Sequence, residues 1–338
     1  MDGIYILAND VVYHQLVALL NSIEVNAGAD FPVCIIPYDN NLSLVKQEVL
    51  NRKNVSIFEN EKISANWDDF VKTIWTYYPQ EVTEIWHKQG YEIGEQGLHK
   101  YREGAYHRYY GFDGIFERFI YLDADTLVLN SLEMFFKQLD EYDFIVYDFQ
   151  YKDISHVYNI YSSKLSQIFN QEQLHKYLFC SGLFASKKGI FPQNKKDWLM
   201  SCLQQEAEIL YLPSVDQSLL NYMVMKTGIS SYNFALNLPS DKVTGCSVTS
   251  DHFIEKDHIL CDQGHRLTYL HYIGLSSKIF NQVCAGENID FPYRDIFLHY
   301  RYLHEPEKRP KFTTKPKAYD APPSLGTRIL KKLGLNKK

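Results

Sequence analysis

The stretch Phe119-Ile120-Tyr121-Leu122-Asp123-Ala124-Asp125-Thr126-Leu127-Val128 runs an apolar segment straight into two carboxylates. Four β-favouring residues in a row predict a strand buried on both faces, as in a parallel sheet covered by helices. Open α/β sheets bind ligands outside the carboxyl ends of their strands, which is where Asp123 and Asp125 are expected. In extended backbone, residues two apart point the same way, so the pair could share one hard divalent cation and leave positions open for a ligand's oxygens. Asp-x-Asp alone is a weak signal, expected about once by chance in a chain this long, so the flanking strand carries the reading. The plain alternative is a strand end with solvated acids.

Working outward, the first sixty residues repeat the same grammar. Apolar runs at Ile4–Ala8, Phe31–Pro37 and Val55–Phe58 alternate with helical spacing over Leu16–Ile23 and Leu42–Leu50. Strand, helix, strand, helix, strand predicts an α/β sheet with parallel crossovers. Residues 61–98, rich in Trp, Tyr and Gly with weak periodicity, are expected to form an insertion with helical pieces. Lys100–Gly111 and Leu132–Leu139 read as helices. Phe144–Tyr147, Gly182–Ser186, Leu210–Leu212 and Leu267–Tyr272 read as short strands.

Composition bounds the partners. The chain has 338 residues and a net charge of −6, which argues against a broad nucleic-acid-binding field. Its 26 tyrosines suit stacking on sugars or bases, although codon bias would give the same count. The six cysteines show neither zinc spacing nor a disulfide framework. No signal peptide or membrane span is apparent, and a cytoplasmic location is expected. Residues 305–338 carry +7, leaving −13 on the rest, and prolines at 306, 310, 316, 322 and 323 predict an extended linker. Beyond it, Leu325, Ile329, Leu330 and Leu333 could share a helix face beside Arg328, Lys331 and Lys332. Residues 324–338 thus read either as a peripheral contact with anionic membrane or as a solvated tail.

Two further constellations lie downstream. His271-Tyr272-Ile273-Gly274 ends a predicted strand, and a histidine there can complete a Mn²⁺ site with two carboxylates, Mg²⁺ being the alternative ion. Gly274 permits close backbone approach to a phosphate, and Lys278 offers a point charge. Val215-Asp216-Gln217 opens an amphipathic helix, where Asp216 could equally be an N-cap.

Taken in order, Asp123-Ala124-Asp125 after an Ile-Tyr-Leu strand, Asp216-Gln217 before a helix, and His271-Tyr272-Ile273-Gly274 with a trailing Lys resemble glycosyltransferase family 8. Leu7-Ala8-Asn9-Asp10 and Ala105-Tyr106-His107-Arg108 are similar to other segments of that family, and the likeness runs over about residues 4–280. The resemblance implies a GT-A nucleotide-sugar transferase fold, with a mixed, mostly parallel central sheet flanked by helices. It implies a catalytic domain over 1–300, with 149–180 as a helical acceptor-side segment. The implied activity is Mn²⁺-dependent, retaining transfer of a hexose from a UDP-sugar to a saccharide or glycolipid acceptor.

Residue by residue, the resemblance implies that Asp123, Asp125 and His271 hold the metal. Ala8 and Asp10 would meet the uracil and ribose, Arg108 the donor, and Gly274 and Lys278 the diphosphate. Ala124 and Ser181 join the donor-binding set. Asp148 would meet the sugar hydroxyls, with Asp216 and Gln217 beside the reacting carbon. The chain differs from the family pattern in placing Lys278 four residues after the Gly, in Cys180-Ser181-Gly182, and in Val11. A non-catalytic sugar-nucleotide or glycan-binding module of the same fold, and a haloacid dehalogenase-like phosphatase, are the rival readings.

Overall fold

The computed structural model describes residues 1–78, 84 and 103–320. Every residue from Gly3 to Ala8 is buried, the mark of a strand with helices on both faces. This strand, β1 (Asp2–Ala8), pairs in parallel with β2 (Val33–Pro37), which pairs in parallel with β3 (Val55–Ile57). On its other side β1 runs parallel to β4 (Arg118–Asp123), with Ile6 opposite Leu122. The chain turns at Ala124-Asp125 into β5 (Thr126–Val128), then forms β6 (Phe144–Val146), β7 (Leu183–Lys187) and β8 (Ser231–Asn233). The seven-stranded sheet has the order β3-β2-β1-β4-β7-β6-β8, and only β7 runs against the rest. The expected mixed, mostly parallel sheet is therefore present.

Strand alternation sorts side chains into two layers. Ile4, Ile6, Ala8, Ile120 and Leu122 pack under the helix Tyr13–Asn26 through Leu16, Leu19, Leu20 and Ile23. Tyr5, Leu7, Phe119 and Tyr121 face the other way, into an aromatic core with Trp67, Phe112 and Phe184. Trp67 belongs to the helix Glu61–Trp75, which buries residues 67, 70, 71, 74 and 75. That spacing is helical, so the weak periodicity expected over 61–98 does not hold for its first part; residues 79–83 and 85–98 lie outside the described residues. Glu103–Asp113 is a run of 3-10 turns rather than an α-helix.

Two further expectations are corrected, and one element is new. Leu210–Leu212 is not a strand: Leu210 makes a single bridge to Tyr158, and a 3-10 turn at Leu212–Ser214 containing Pro213, which has no amide hydrogen, ends it. An unexpected small sheet, β9 (Ile254–Lys256), β10 (Ile259–Asp262) and β11 (His265–Arg266), follows, its turns carrying positive φ at Asp257, His258, Gln263 and Gly264. Finally, the start of the proline-rich segment is not a free linker. Phe312 lies under the Arg294 guanidinium, and Lys317–Ala318 pairs in parallel with Ile289–Asp290. The amphipathic stretch 324–338 lies outside the described residues. No helix among the described residues is long and apolar enough to cross a membrane.

Candidate metal and donor site

The site grows from one pairing. Strand β12 (Tyr269–His271) runs antiparallel to β5, with His271 opposite Thr126, and the Tyr272 amide donates to the Asp125 carbonyl at 2.8 Å. This register sets the His271 ring beside the Asp123-Ala124-Asp125 turn. Donor atoms of Asp123, Asp125 and His271 all lie within 4.8 Å of one another, and His271 Nε2 is 3.3 Å from Asp125 Oδ1. The two carboxylates are not brought together by strand alternation as expected. Asp125 sits in a turn beyond β4, which the Thr126 hydroxyl closes by donating to the Asp123 carbonyl at 2.7 Å.

Gly182, at the entrance to β7, completes this wall. A Cβ on it would stand 2.3 Å from His271 Cε1, so the ring occupies space that only glycine leaves free. Its carbonyl also accepts from the Asp123 amide at 2.8 Å.

Behind the carboxylates lies buried Arg108. Its guanidinium is 3.4 Å from Asp123 Oδ1 and 3.0 Å from Asp216 Oδ2, and it donates to the Ser181 carbonyl and hydroxyl at 2.8 and 2.7 Å. The Tyr121 ring lies beneath it at 5.0 Å, and the Tyr121 hydroxyl donates to Asp123 Oδ1 at 2.5 Å. Asp216 thus serves Arg108 from the first turn of the helix Val215–Lys226 and is not the N-cap considered from the sequence. Gln217 is engaged at both ends, accepting from the Ser181 amide at 3.0 Å and donating to the His156 carbonyl at 3.2 Å.

The electrostatics follow from burial and these partners. Burial works against the charge on Arg108, but Asp123, Tyr121 and Asp216 outweigh it and keep the guanidinium firmly protonated. Burial raises the Asp123 carboxyl despite Arg108. For Asp125 the burial penalty is overcome by the attraction and hydrogen bond of His271, so its carboxyl falls below the usual range. His271 is raised in turn, the Asp125 partner outweighing its burial. Asp148, at the end of β6, is pushed up to about 7 by burial, with partial relief from the nearby amides of Gln150 and Cys180. One of its oxygens accepts from Gln150 at 2.7 Å, and the other, Oδ2, makes no hydrogen bond.

A cleft of about 500 Å³ opens over the carboxyl ends of β1, β2 and β4, with Ala8, Arg108, Asp123, Ala124 and Asp125 in its walls. Four expected donor-binding residues, Asp10, Ser181, Gly274 and Lys278, are not part of this wall. Asp10 turns away to accept from the Leu44 and Val45 amides, each at 3.0 Å, capping the helix Ser43–Leu50. Lys278 is exposed on the first turn of the helix Ser277–Cys284 and is not part of the cleft wall, which takes Leu275 and Ser277 instead. Gly274 forms the preceding turn with φ +82°, a conformation suited to glycine. Asn9, Gln15, Tyr38 and Asp39 also line the cleft, although none of them is assigned a role from the sequence. Asn9 and Asp39 had one usable signal: they lie one and two residues past the carboxyl ends of the parallel strands β1 and β2.

The sheet order, with one reversed strand after β4 and two carboxylates at the β4 edge, is that of the GT-A glycosyltransferase fold. Among solved structures, the bifunctional glycosyltransferase WbbM in its apo form superposes with a TM-score of 0.52 at 16% identity, covering 91% of this chain. The chain spans about half of WbbM, 51% of its length. The galactosyltransferase LgtC, solved with donor and acceptor sugar analogues, superposes with a TM-score of 0.52 at 15% identity, covering 94% of this chain and 98% of LgtC. No family model matches the sequence, and no curated protein does so at a significant level.

Proposed function

We propose that this chain is a metal-dependent, retaining glycosyltransferase that moves a hexose from a UDP-sugar to a saccharide or glycolipid acceptor. The observation that carries the reading is the Asp123, Asp125 and His271 cluster at the carboxyl edge of a GT-A sheet. Two carboxylates and an imidazole form a mixed oxygen and nitrogen donor set that suits Mn²⁺, and the Gly182 gap fits the ring to its place. A divalent ion held there would supply Lewis-acid stabilisation to the departing diphosphate.

The remaining residues position and exclude. Arg108 fixes Asp123 from behind while its own charge lies along the cleft wall. Asp148 Oδ2, buried and unpartnered, is ready to take a hydroxyl of the donor sugar. Gln217, held at both ends, is a poor nucleophile, which favours attack by the acceptor from the leaving-group side and retention at the anomeric carbon. The basic segment 324–338 would bring the enzyme to anionic membrane on the cytoplasmic face.

Incubation with a panel of UDP-sugars, with and without Mn²⁺, should release UDP only with the metal. Asp125→Ala should abolish release and metal-dependent UDP binding while leaving the circular dichroism spectrum unchanged. Wild-type turnover in that variant would defeat the assignment. An NMR-assigned product anomer opposite to the donor's would defeat retention alone. A binding module would hold UDP-sugar without hydrolysing it.

A further inference from the structure

Gln15 sits in the first turn of the helix Tyr13–Asn26 and is only 4% exposed, yet it lines the donor cleft. Its Oε1 is shielded from solvent and meets no hydrogen-bond donor. Leaving a buried carboxamide oxygen unpaired costs stability, so a native site that keeps one calls for an explanation. Among the described residues, it is the buried side-chain acceptor of this cleft that no protein group satisfies. Its polar neighbours are already committed. Asn9 donates to Asp39 at 2.8 Å and accepts from the Val11 amide at 3.1 Å, while Asp39 also accepts from the Asn41 amide at 2.9 Å. Around Gln15 the wall is apolar, with Val11, Val12 and Leu275. Val11 and Gln15 both line this part of the cleft.

An amide set among aliphatic side chains suits a flat heterocycle that is apolar on its faces and polar at its edge. We propose that Gln15 reads the nucleobase of the donor, its carboxamide pairing with an N–H beside a carbonyl, such as the imide edge of uracil. This rests on the reading of the cleft as a nucleotide-sugar site. The oxygen accepts from the base N–H and the amide nitrogen donates to the adjacent carbonyl. A half-turn of the terminal amide lets either atom face the cleft. The diphosphate then lies toward Asp123 and Asp125 at the carboxyl end of β4.

The test uses the full chain with Mn²⁺ and three probes: UDP, UDP methylated at base N3, and inorganic pyrophosphate. Wild type should bind UDP roughly ten- to a hundredfold more tightly than the N3-methyl analogue, which lacks the hydrogen. Gln15→Leu should bind the two nucleotides equally, near the wild-type affinity for the methylated one, with pyrophosphate binding unchanged. Without ligand, Gln15→Leu should melt at or above the wild-type temperature, because the unpaired oxygen is gone. Gln15→Met serves if the leucine variant fails to fold.

Retained discrimination in either variant would overturn the proposal, as would an unliganded variant that melts lower and weakens both nucleotides in proportion. Wild type binding pyrophosphate as tightly as UDP would overturn base reading while sparing the metal–diphosphate site. Wild type binding none of the three would remove the nucleotide-sugar reading itself.

Discussion

Replacing Gly182 by alanine is the most direct probe of how the site is assembled. The new Cβ would fall 2.3 Å from His271 Cε1 and 2.9 Å from Nδ1, against an ordinary contact of about 3.4–4 Å. Ring or backbone must therefore move by about 1 Å. The ring is not at the free end of a flexible chain: its backbone is locked by β12 pairing to β5, and its Nε2 engages Asp125. Metal sites tolerate about 0.5 Å of ligand displacement before affinity suffers. We expect Gly182→Ala to weaken Mn²⁺ binding roughly 10–100-fold and to cost about 1–3 kcal/mol of stability by overpacking. Isothermal titration with Mn²⁺ and urea denaturation measure the two effects. The double variant Gly182→Ala/His271→Ala separates the clash from any backbone effect, because alanine at 271 removes the obstructing ring. If Gly182→Ala binds Mn²⁺ like wild type, or costs as much stability when residue 271 is alanine, the packing argument fails.

Three other outcomes are expected. Arg108→Met leaves the buried carboxylate of Asp216 and the partly buried one of Asp123 without their cation and should cost about 3–5 kcal/mol by urea denaturation; a loss under 1 kcal/mol would mean the network is not held by charge. His14 accepts a hydrogen bond from Arg301 at 2.9 Å, and burial together with Arg301 pushes it down to about 4. The unfolded chain, with His14 near 6.5, therefore binds the proton more readily, so the contribution is complete above 6.5 and is lost as pH falls from 6.5 through 4. His14→Gln should flatten that part of the stability profile, and an unchanged profile would count against it. Removing residues after Pro323 should release the protein from anionic liposomes with little loss of soluble-acceptor activity, and unchanged liposome binding would eliminate the membrane role.

Some of this molecule was legible because burial on both faces writes itself into sequence as unbroken apolar runs. β1, β2 and β4 were readable for that reason, and with them the edge where Asp123 lies. The exposed β9 and the half-exposed β10 have no such signature, and their hairpins turn on Asp257-His258 and Gln263-Gly264, only one of which is glycine. Leu210–Leu212 misleads in the opposite way, since apolar residues are also buried in irregular segments. Within the site, residue types pointed to Asp123, Asp125 and His271 as candidate metal ligands, but their approach depends on the β5–β12 register, a tertiary fact. Asp10 shows the limit of reading chemistry from residue type: a carboxylate near a ligand cleft and a carboxylate capping the next helix look alike until the backbone is known. Gly182 and Gln15 carry no chemical flag in sequence; one matters for what it lacks and the other for a bond left unmade.

The β5–β12 pairing also sets a schedule for the growing polypeptide. A nascent chain that has left the ribosome only as far as the β9–β11 hairpins already displays both aspartates but has no imidazole to join them. Closing so long a loop is entropically costly and comes late in folding. The three side chains that cluster at the sheet edge would then come together only after β12 has been made and paired with β5.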